Sequence, residues 1–200
     1  NEELLAAPFI QMDETPLQVL KSEKAVGSDH YMAVRAAGCA GATGPPGKRI
    51  ILYDYLPSRT TEGLKALLIG ADGPYRGKLL TDGLARYDDI ARALGLEHFG
   101  CLQHCRAYYY KARKVSQLPS SRSLANAAIE EHIGKVYRVE RQIKALREEH
   151  ERRGEPLPLS TVLALRQEKS TPLMERFKVW ADELLVATPP KSALGQALSY

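Results

Sequence analysis

Two hundred residues with 44% hydrophobic and 26% charged content supply enough apolar surface for one good core, with a smaller second unit beside it. No apolar run approaches the ~20 residues needed to cross a bilayer, and the first residues lack the basic-then-apolar order of a signal peptide, which argues against a membrane partner and for an intracellular protein. The balance of 28 Lys and Arg against 24 Asp and Glu, +4 net, permits nucleic-acid binding without demanding it, and three cysteines, an odd number, point to reduced thiols rather than a disulfide framework. The chain begins at Asn1 rather than Met and stops at Tyr200 soon after the polar run Pro189-Pro190-Lys191-Ser192, so it reads as a fragment of a longer protein.

In chain order, alternating apolar residues predict strands over 8–12, 31–36 and 49–55. The first of these runs into Asp13-Glu14-Thr15-Pro16, where Asp, Thr and Pro read as turn residues that end it. The connector GCAGATGPPG, residues 38–47, cannot continue either flanking strand and reads as a flexible hairpin tip. A helix follows over 60–68, with Thr60 or Thr61 as cap and Gly70 near its end. A short strand over 77–81 then runs into Asp82, and a helix over 84–94 follows.

Asp13 and Asp82 therefore share a context, a carboxylate where an apolar strand gives way to a turn. In open α/β sheets, side chains at strand ends converge on one crevice. Two acids brought together there repel unless neutralised, and hard divalent ions such as Mg²⁺ neutralise them through oxygen ligands while keeping waters for chemistry. Glu14 follows Asp13 directly and so faces the other side of a strand, where a structural role suits it and Thr15 better. Asp54, within a strand, and Asp88 and Asp89, on a helix, are acids held in reserve whose default is to face solvent.

The segment 98–106 packs His98, Cys101, His104 and Cys105 into eight positions. Zinc is one reading, although structural zinc sites draw on two separated ligand pairs and a helix over 101–113 leaves His98 off the face shared by the other three. A core histidine with a satisfied ring is another reading of His104. Directly after it, RAYYYKARK mixes aromatics with Arg106, Lys111, Arg113 and Lys114. Two readings stand: a DNA contact in which rings stack on bases while cations hold phosphates, or an amphipathic helix with Tyr inside and a solvated basic face.

From about 121 to 187 there is no strand signal. Ala128, Ile129, His132, Ile133, Val136, Tyr137, Glu140, Ile143 and Leu146 keep helical spacing in a long amphipathic helix that ends near Arg153-Gly154. Leu163, Leu173, Phe177, Trp180 and Leu184 predict one or two return helices, with Pro172 at a break or first turn. The alternating charges of 144–153 read as a solvated face, and a dimer contact through the apolar stripe is the sharper alternative.

Five segments, Asp13-Glu14-Thr15-Pro16, then Tyr53-Asp54-Tyr55-Leu56-Pro57-Ser58-Arg59, then Thr81-Asp82-Gly83-Leu84-Ala85-Arg86-Tyr87, then Cys101-Leu102-Gln103-His104, then Pro190-Lys191-Ser192-Ala193-Leu194-Gly195, occur in the order seen in bacterial insertion-sequence transposases of the family numbered sixty-six. The chain resembles that family over nearly its whole length. The resemblance implies an α/β fold, a ribonuclease-H-like mixed sheet with helices, plus an all-helical insertion. Residues 1–120 would form the first part of the catalytic core, 121–188 the insertion, and 189–200 a return toward the rest of the core. It implies that Asp13 and Asp82 hold Mg²⁺, for which Mn²⁺ can substitute, and that His104 stands near the scissile phosphate. It implies DNA partners, transposon ends and target, a homodimer assembled on DNA, and a nucleoid-associated protein of the bacterial cytoplasm. The family's third acid, a Glu on a helix beyond the Pro-Lys-Ser-x-Leu-Gly segment, is not reached by Tyr200, so the expected core has two of three metal-binding acids and little activity of its own. A degenerate, non-catalytic DNA-binding or scaffolding protein with the same fold is the alternative. The family carries Arg-Arg-Lys where this chain has Arg106-Ala107-Tyr108, which weakens the phosphate-binding reading of that helix.

Overall fold

In β1, Phe9–Leu17, Ile10 and Met12 are buried while Gln11 and Asp13 are exposed, so alternation along one strand separates a core face from an open one. The computed structural model describes residues 1–19, 30–38 and 49–200; the connector expected over 38–47 lies outside the described residues from 39 onward. The chain divides into two compact units, Asn1–Cys101 and Leu102–Tyr200.

The first unit opens with the short helix α1, Glu2–Leu5, and β1, followed by β2, His30–Ala37, and β3, Ile50–Leu56. After these come α2, Thr61–Ala66, a small hairpin of β4, Ile69–Gly70, and β5, Gly73–Pro74, then β6, Lys78–Thr81, α3, Ala85–Leu94, and β7, Glu97–Gly100. The main sheet has the order β3-β2-β1-β6-β7. β1 pairs antiparallel with β2, which pairs antiparallel with β3, whereas β1, β6 and β7 run parallel. Three antiparallel strands followed by parallel strand and helix units make the mixed, ribonuclease-H-like α/β sheet that the resemblance implies. Leu4, Leu64, Tyr87, Ile90 and Leu94 from the three helices, with Leu68 just after α2, bury the face that carries Ile10, Met12 and Leu79.

Two expectations are corrected. β1 does not stop at Asp13 but continues to Leu17, with Pro16 opposite Tyr31 of β2. A proline is tolerated because β6 pairs with β1 only as far as Gln11, which leaves the later half of β1 an edge on that side. The helix expected over 60–68 is shorter, and Gly70 belongs to the β4–β5 hairpin; Thr60 caps α2 by accepting the Gly63 N–H at 3.1 Å.

The second unit is all helical: α4, Leu102–Val115, α5, Pro119–Ala127, a π-helical turn over Ala128–Ile133, α6, Gly134–Arg152, α7, Leu159–Leu165, a second π-helical turn over Arg166–Ser170, α8, Thr171–Ala187, and α9, Ala193–Leu198. Tyr109, Ile129, Ile133, Phe177, Leu194 and Leu198 anchor its main core, and Val139, Ile143 and Val162 close the far end of the α6–α7 hairpin. The first π turn ends at Gly134, whose N–H bonds the Ile129 carbonyl; a Cβ there would lie 2.7 Å from that oxygen, so glycine lets the wide turn close. Glu140 keeps its place in an otherwise apolar stripe because Arg166 grips it through two 2.8 Å hydrogen bonds, and Glu140 holds the guanidinium charged against the cost of burial.

The Pro-Lys-Ser-x-Leu-Gly segment has a local mechanical explanation. Ser192 caps α9 by accepting the Gly195 N–H at 3.0 Å, and a Cβ on Gly195 would sit 2.2 Å from the Pro189 carbonyl oxygen. Gly195→Ala is therefore expected to cost about 1–3 kcal/mol, because relief requires a backbone shift. Urea denaturation checks this, and a loss below about 0.5 kcal/mol contradicts it.

Candidate active site

The register of the parallel pair sets the position of the two acids. Gln11 lies opposite Leu80 in the last pair of the β1–β6 ladder, and Asp13 and Asp82 each lie two residues further on, Asp13 in the middle of β1 and Asp82 just past the end of β6. Asp13 projects from the open face, in a cross-strand row with Val34 and the exposed Tyr53, and its Oδ1 accepts the Glu14 N–H at 2.9 Å. Asp82 follows the last residue of β6; its Oδ1 accepts the Leu84 N–H at 3.2 Å, which draws the chain into α3.

Glu14 is on the core face, as alternation requires, and its side chain is 0% exposed. A buried carboxylate needs a cation. Arg59 supplies it, with Nε 3.4 Å from Oε1 and Nη2 3.2 Å from Oε2. The same Nη2 lies 3.6 Å from Oδ2 of Asp82, an ion-pair distance rather than a hydrogen bond. Arg59 also packs over the Tyr31 ring at 5.6 Å, and its carbonyl accepts a hydrogen bond from Arg86 of α3. Burial works against the Arg59 charge, yet Glu14 and then Asp82 raise its pKa overall. The buried Tyr87 phenol is pushed well above its usual range by burial first, then by the charges of Glu14 and Asp82.

The acids held in reserve have structural partners. Asp54 pairs with Arg35 at 2.8 Å, Asp89 with Arg92 at 2.9 Å, and Asp88 with His98 Nδ1 at 2.9 Å. His98 Nε2 in turn meets Thr81 Oγ1 at 2.8 Å, so this ring ties β7 to the end of β6 and to α3. Cys105 belongs to the core of the second unit, and among the described residues no three His, Cys, Asp or Glu side chains stand together where they could hold a metal.

His104 is half-buried in the first turns of α4, in the second unit, whereas Asp13 and Asp82 belong to the first. Further along α4 the arginines are already engaged. Arg106 lies over the rings of Tyr110 at 5.1 Å and Tyr137 at 5.3 Å, and Arg113 lies over Tyr110 at 4.7 Å while donating to Asn126 at 3.0 Å. Lys111 and Lys114 are exposed.

The family model described as Transposase IS66 family matches residues 1–200. The chain belongs to that family. Its five-stranded mixed sheet is thus the sheet of a DNA transposase core. No curated protein matches this transposase chain in sequence. Among solved structures it is similar to the HTLV-2 integrase catalytic core domain in complex with magnesium (dimeric form), at 12% identity and a TM-score of 0.28, over 61% of this chain and 86% of that one. That score is too low to add to the topology. Among the described residues, no helix of the transposase chain is long and apolar enough to cross a membrane.

The Arg59–Glu14 pair is the part of this site that sequence patterning misses. Its signal was present in alternation: Glu14 shares a strand face with Ile10 and Met12, which forces the carboxylate inside and calls for a nearby cation.

Proposed function

We propose that this chain carries the core for metal-dependent phosphodiester hydrolysis and strand transfer at the ends of a bacterial insertion sequence, with Asp13 and Asp82 as its metal-binding acids. The observation that supports this most is their equal offset, two residues beyond the last pair of the parallel β1–β6 ladder, in a transposase chain. Two carboxylates present hard oxygen donors, a set that suits Mg²⁺ or Mn²⁺ bound jointly by protein and DNA phosphate. Bound there, the ion would supply activation of the attacking water or 3′-hydroxyl and stabilisation of the leaving oxygen.

The remaining roles follow from the same reading. Asp13 offers its carboxylate from the open sheet face, and the Leu84 amide orients that of Asp82. His104 acts beside the scissile phosphate, and Arg106, Lys111, Arg113 and Lys114 hold DNA backbone. Residues 1–120 serve as the first part of the core, 121–188 as a helical insertion and 189–200 as the return segment. The protein works as a homodimer on paired DNA ends in the bacterial cytoplasm, at the nucleoid. The second reading, a non-catalytic DNA-binding scaffold with this fold, draws on the lack of a three-ligand group among the described residues.

The deciding experiment is nicking and joining of a duplex carrying an element end, by the transposase that contains this chain, with Mg²⁺. Metal-dependent nicking that Asp82→Asn removes supports the enzyme; DNA binding without nicking in the wild type favours the scaffold. For the basic helix, the double substitution Lys111→Ala/Lys114→Ala is expected to weaken DNA binding alike for all sequences. It should flatten the dependence of log affinity on log salt by about 1.8, roughly 0.9 for each phosphate that a lysine no longer neutralises. Fluorescence anisotropy across a salt series measures this, and an unchanged slope removes these lysines from the interface.

A further inference from the structure

One guanidinium serves two carboxylates of opposite standing: Glu14, fully buried, and Asp82, whose side chain is 18% exposed. The two distances rank the pairs, since Arg59 is closer to Glu14, at 3.2 Å through Nη2, than to Asp82 at 3.6 Å. The buried acid attracts it more strongly because water reaches that pair only from the Arg59 side. The Tyr31 ring and the Arg86 hydrogen bond to the Arg59 carbonyl fix the side chain and the backbone from two further directions. Nη2 is the atom the two carboxylates share, so a shift of the guanidinium toward one changes its distance to the other.

We propose that Arg59 is a positioning residue for Asp82: anchored on buried Glu14, its guanidinium competes with a divalent cation for the Asp82 carboxylate and sets how tightly that carboxylate holds one. This rests on Asp82 being a metal-binding acid. Glu14 has the opposite effect on the competition, because every increment of its pull on Arg59 is withdrawn from Asp82. Removing the Glu14 charge alone frees the guanidinium for Asp82 and weakens metal binding. Removing both charges abolishes the competition and strengthens it. Loss of the Glu14 charge also weakens cation binding by removing nearby negative charge, so the gain in the double variant is the shift that a purely structural ion pair does not produce.

The test is Mn²⁺ affinity, read from the electron paramagnetic resonance signal of free Mn²⁺, for the wild-type chain, Asp82→Asn, Glu14→Gln, and Glu14→Gln/Arg59→Gln, with circular dichroism confirming the fold. Asp82→Asn is expected to weaken binding about tenfold, Glu14→Gln about fivefold, and the double variant to bind about fivefold more tightly than wild type. If wild type binds no Mn²⁺, or Asp82→Asn leaves its affinity unchanged, the metal reading of Asp82 fails and this proposal with it. If Asp82→Asn weakens binding but Glu14→Gln does not, Arg59 is a structural partner of Glu14 and only this proposal fails. Should the double variant not fold, Glu14→Gln/Arg59→Met takes its place; should either fold and bind no more tightly than wild type, the competition is overturned.

Discussion

Asp82→Asn is expected to reduce metal-dependent DNA cleavage by more than the roughly 100-fold that removal of an outer-shell metal partner costs. The substitution is nearly isosteric, and its amide oxygen can still accept the Leu84 N–H that Asp82 accepts at 3.2 Å, so the turn into α3 is retained. What disappears is the negative charge. The 3.6 Å ion pair with Arg59 disappears with it, but between partly exposed groups this is worth at most about 1 kcal/mol, too little to account for a large fall in rate. Asp13→Asn carries the same expectation, because Asn can still accept the Glu14 N–H at that position. Asp89→Asn is the control: that acid is 62% exposed and its ion pair is with a neighbour on its own helix. Rates of nicking in Mg²⁺ and Mn²⁺, with folding followed by circular dichroism, measure all three. Full metal-dependent activity in Asp13→Asn would remove it from the metal site even if Asp82 remained.

The sheet was largely legible because its strands alternate and its faces differ. Ile10 and Met12 against Gln11 and Asp13 suffice to orient β1, and Asp82 is readable because β6 is short and apolar and ends against Gly83. The far end of β1 was not legible. Thr15 and Pro16 have the chemistry of a turn, and they stay extended because β2 pairs with them while β6 no longer does, which is long-range information. β7 was missed for a similar reason, since four residues, Glu97–Gly100, carry too little pattern and owe their strand form to pairing with β6. In the second unit, helical spacing across 128–146 is correct, yet it cannot distinguish 3.6 residues per turn from the wider turn at Ala128–Ile133. At the site, an acid following an apolar run singles out Asp13 and Asp82 as candidates, although Asp13 lies within β1 rather than at its end, whereas the guanidinium between Glu14 and Asp82 joins residues 45 apart in one case and requires the fold to be seen.

Arg35→Met is expected to cost about 3 kcal/mol of stability while leaving the acids of the site untouched. Arg35 is 3% exposed and sits between Met12 and Leu52 on the core face of the sheet. Its Nε and Nη2 grip Asp54 of β3 at 2.8 and 3.1 Å, and Nη1 donates to Asn1 Oδ1 at 2.7 Å and to the Leu67 carbonyl after α2. One side chain therefore joins β2, β3, the start of the chain and the end of α2. Met fills much of the same volume but leaves the Asp54 carboxylate and the Leu67 carbonyl without this donor, and the cost of such groups, not the strength of the broken bonds, sets the magnitude. Asp54 is 24% exposed, so water offsets part of the penalty and the lower end of the range for broken buried pairs applies. The converse substitution, Asp54→Asn, should cost less, about 1 kcal/mol, because an amide oxygen still accepts from the guanidinium. Pairing Arg35→Met with Asp54→Leu should recover much of the stability, since a matched apolar pair leaves no charge unpaired. Chemical denaturation of the three variants measures these effects, and a cost below about 1 kcal/mol in Arg35→Met would mean that water, rather than Arg35, satisfies Asp54. The same set addresses function: if Asp54 is structural, Asp54→Asn should change stability while leaving the Mn²⁺ affinity of the chain where it was, which Asp82→Asn should not.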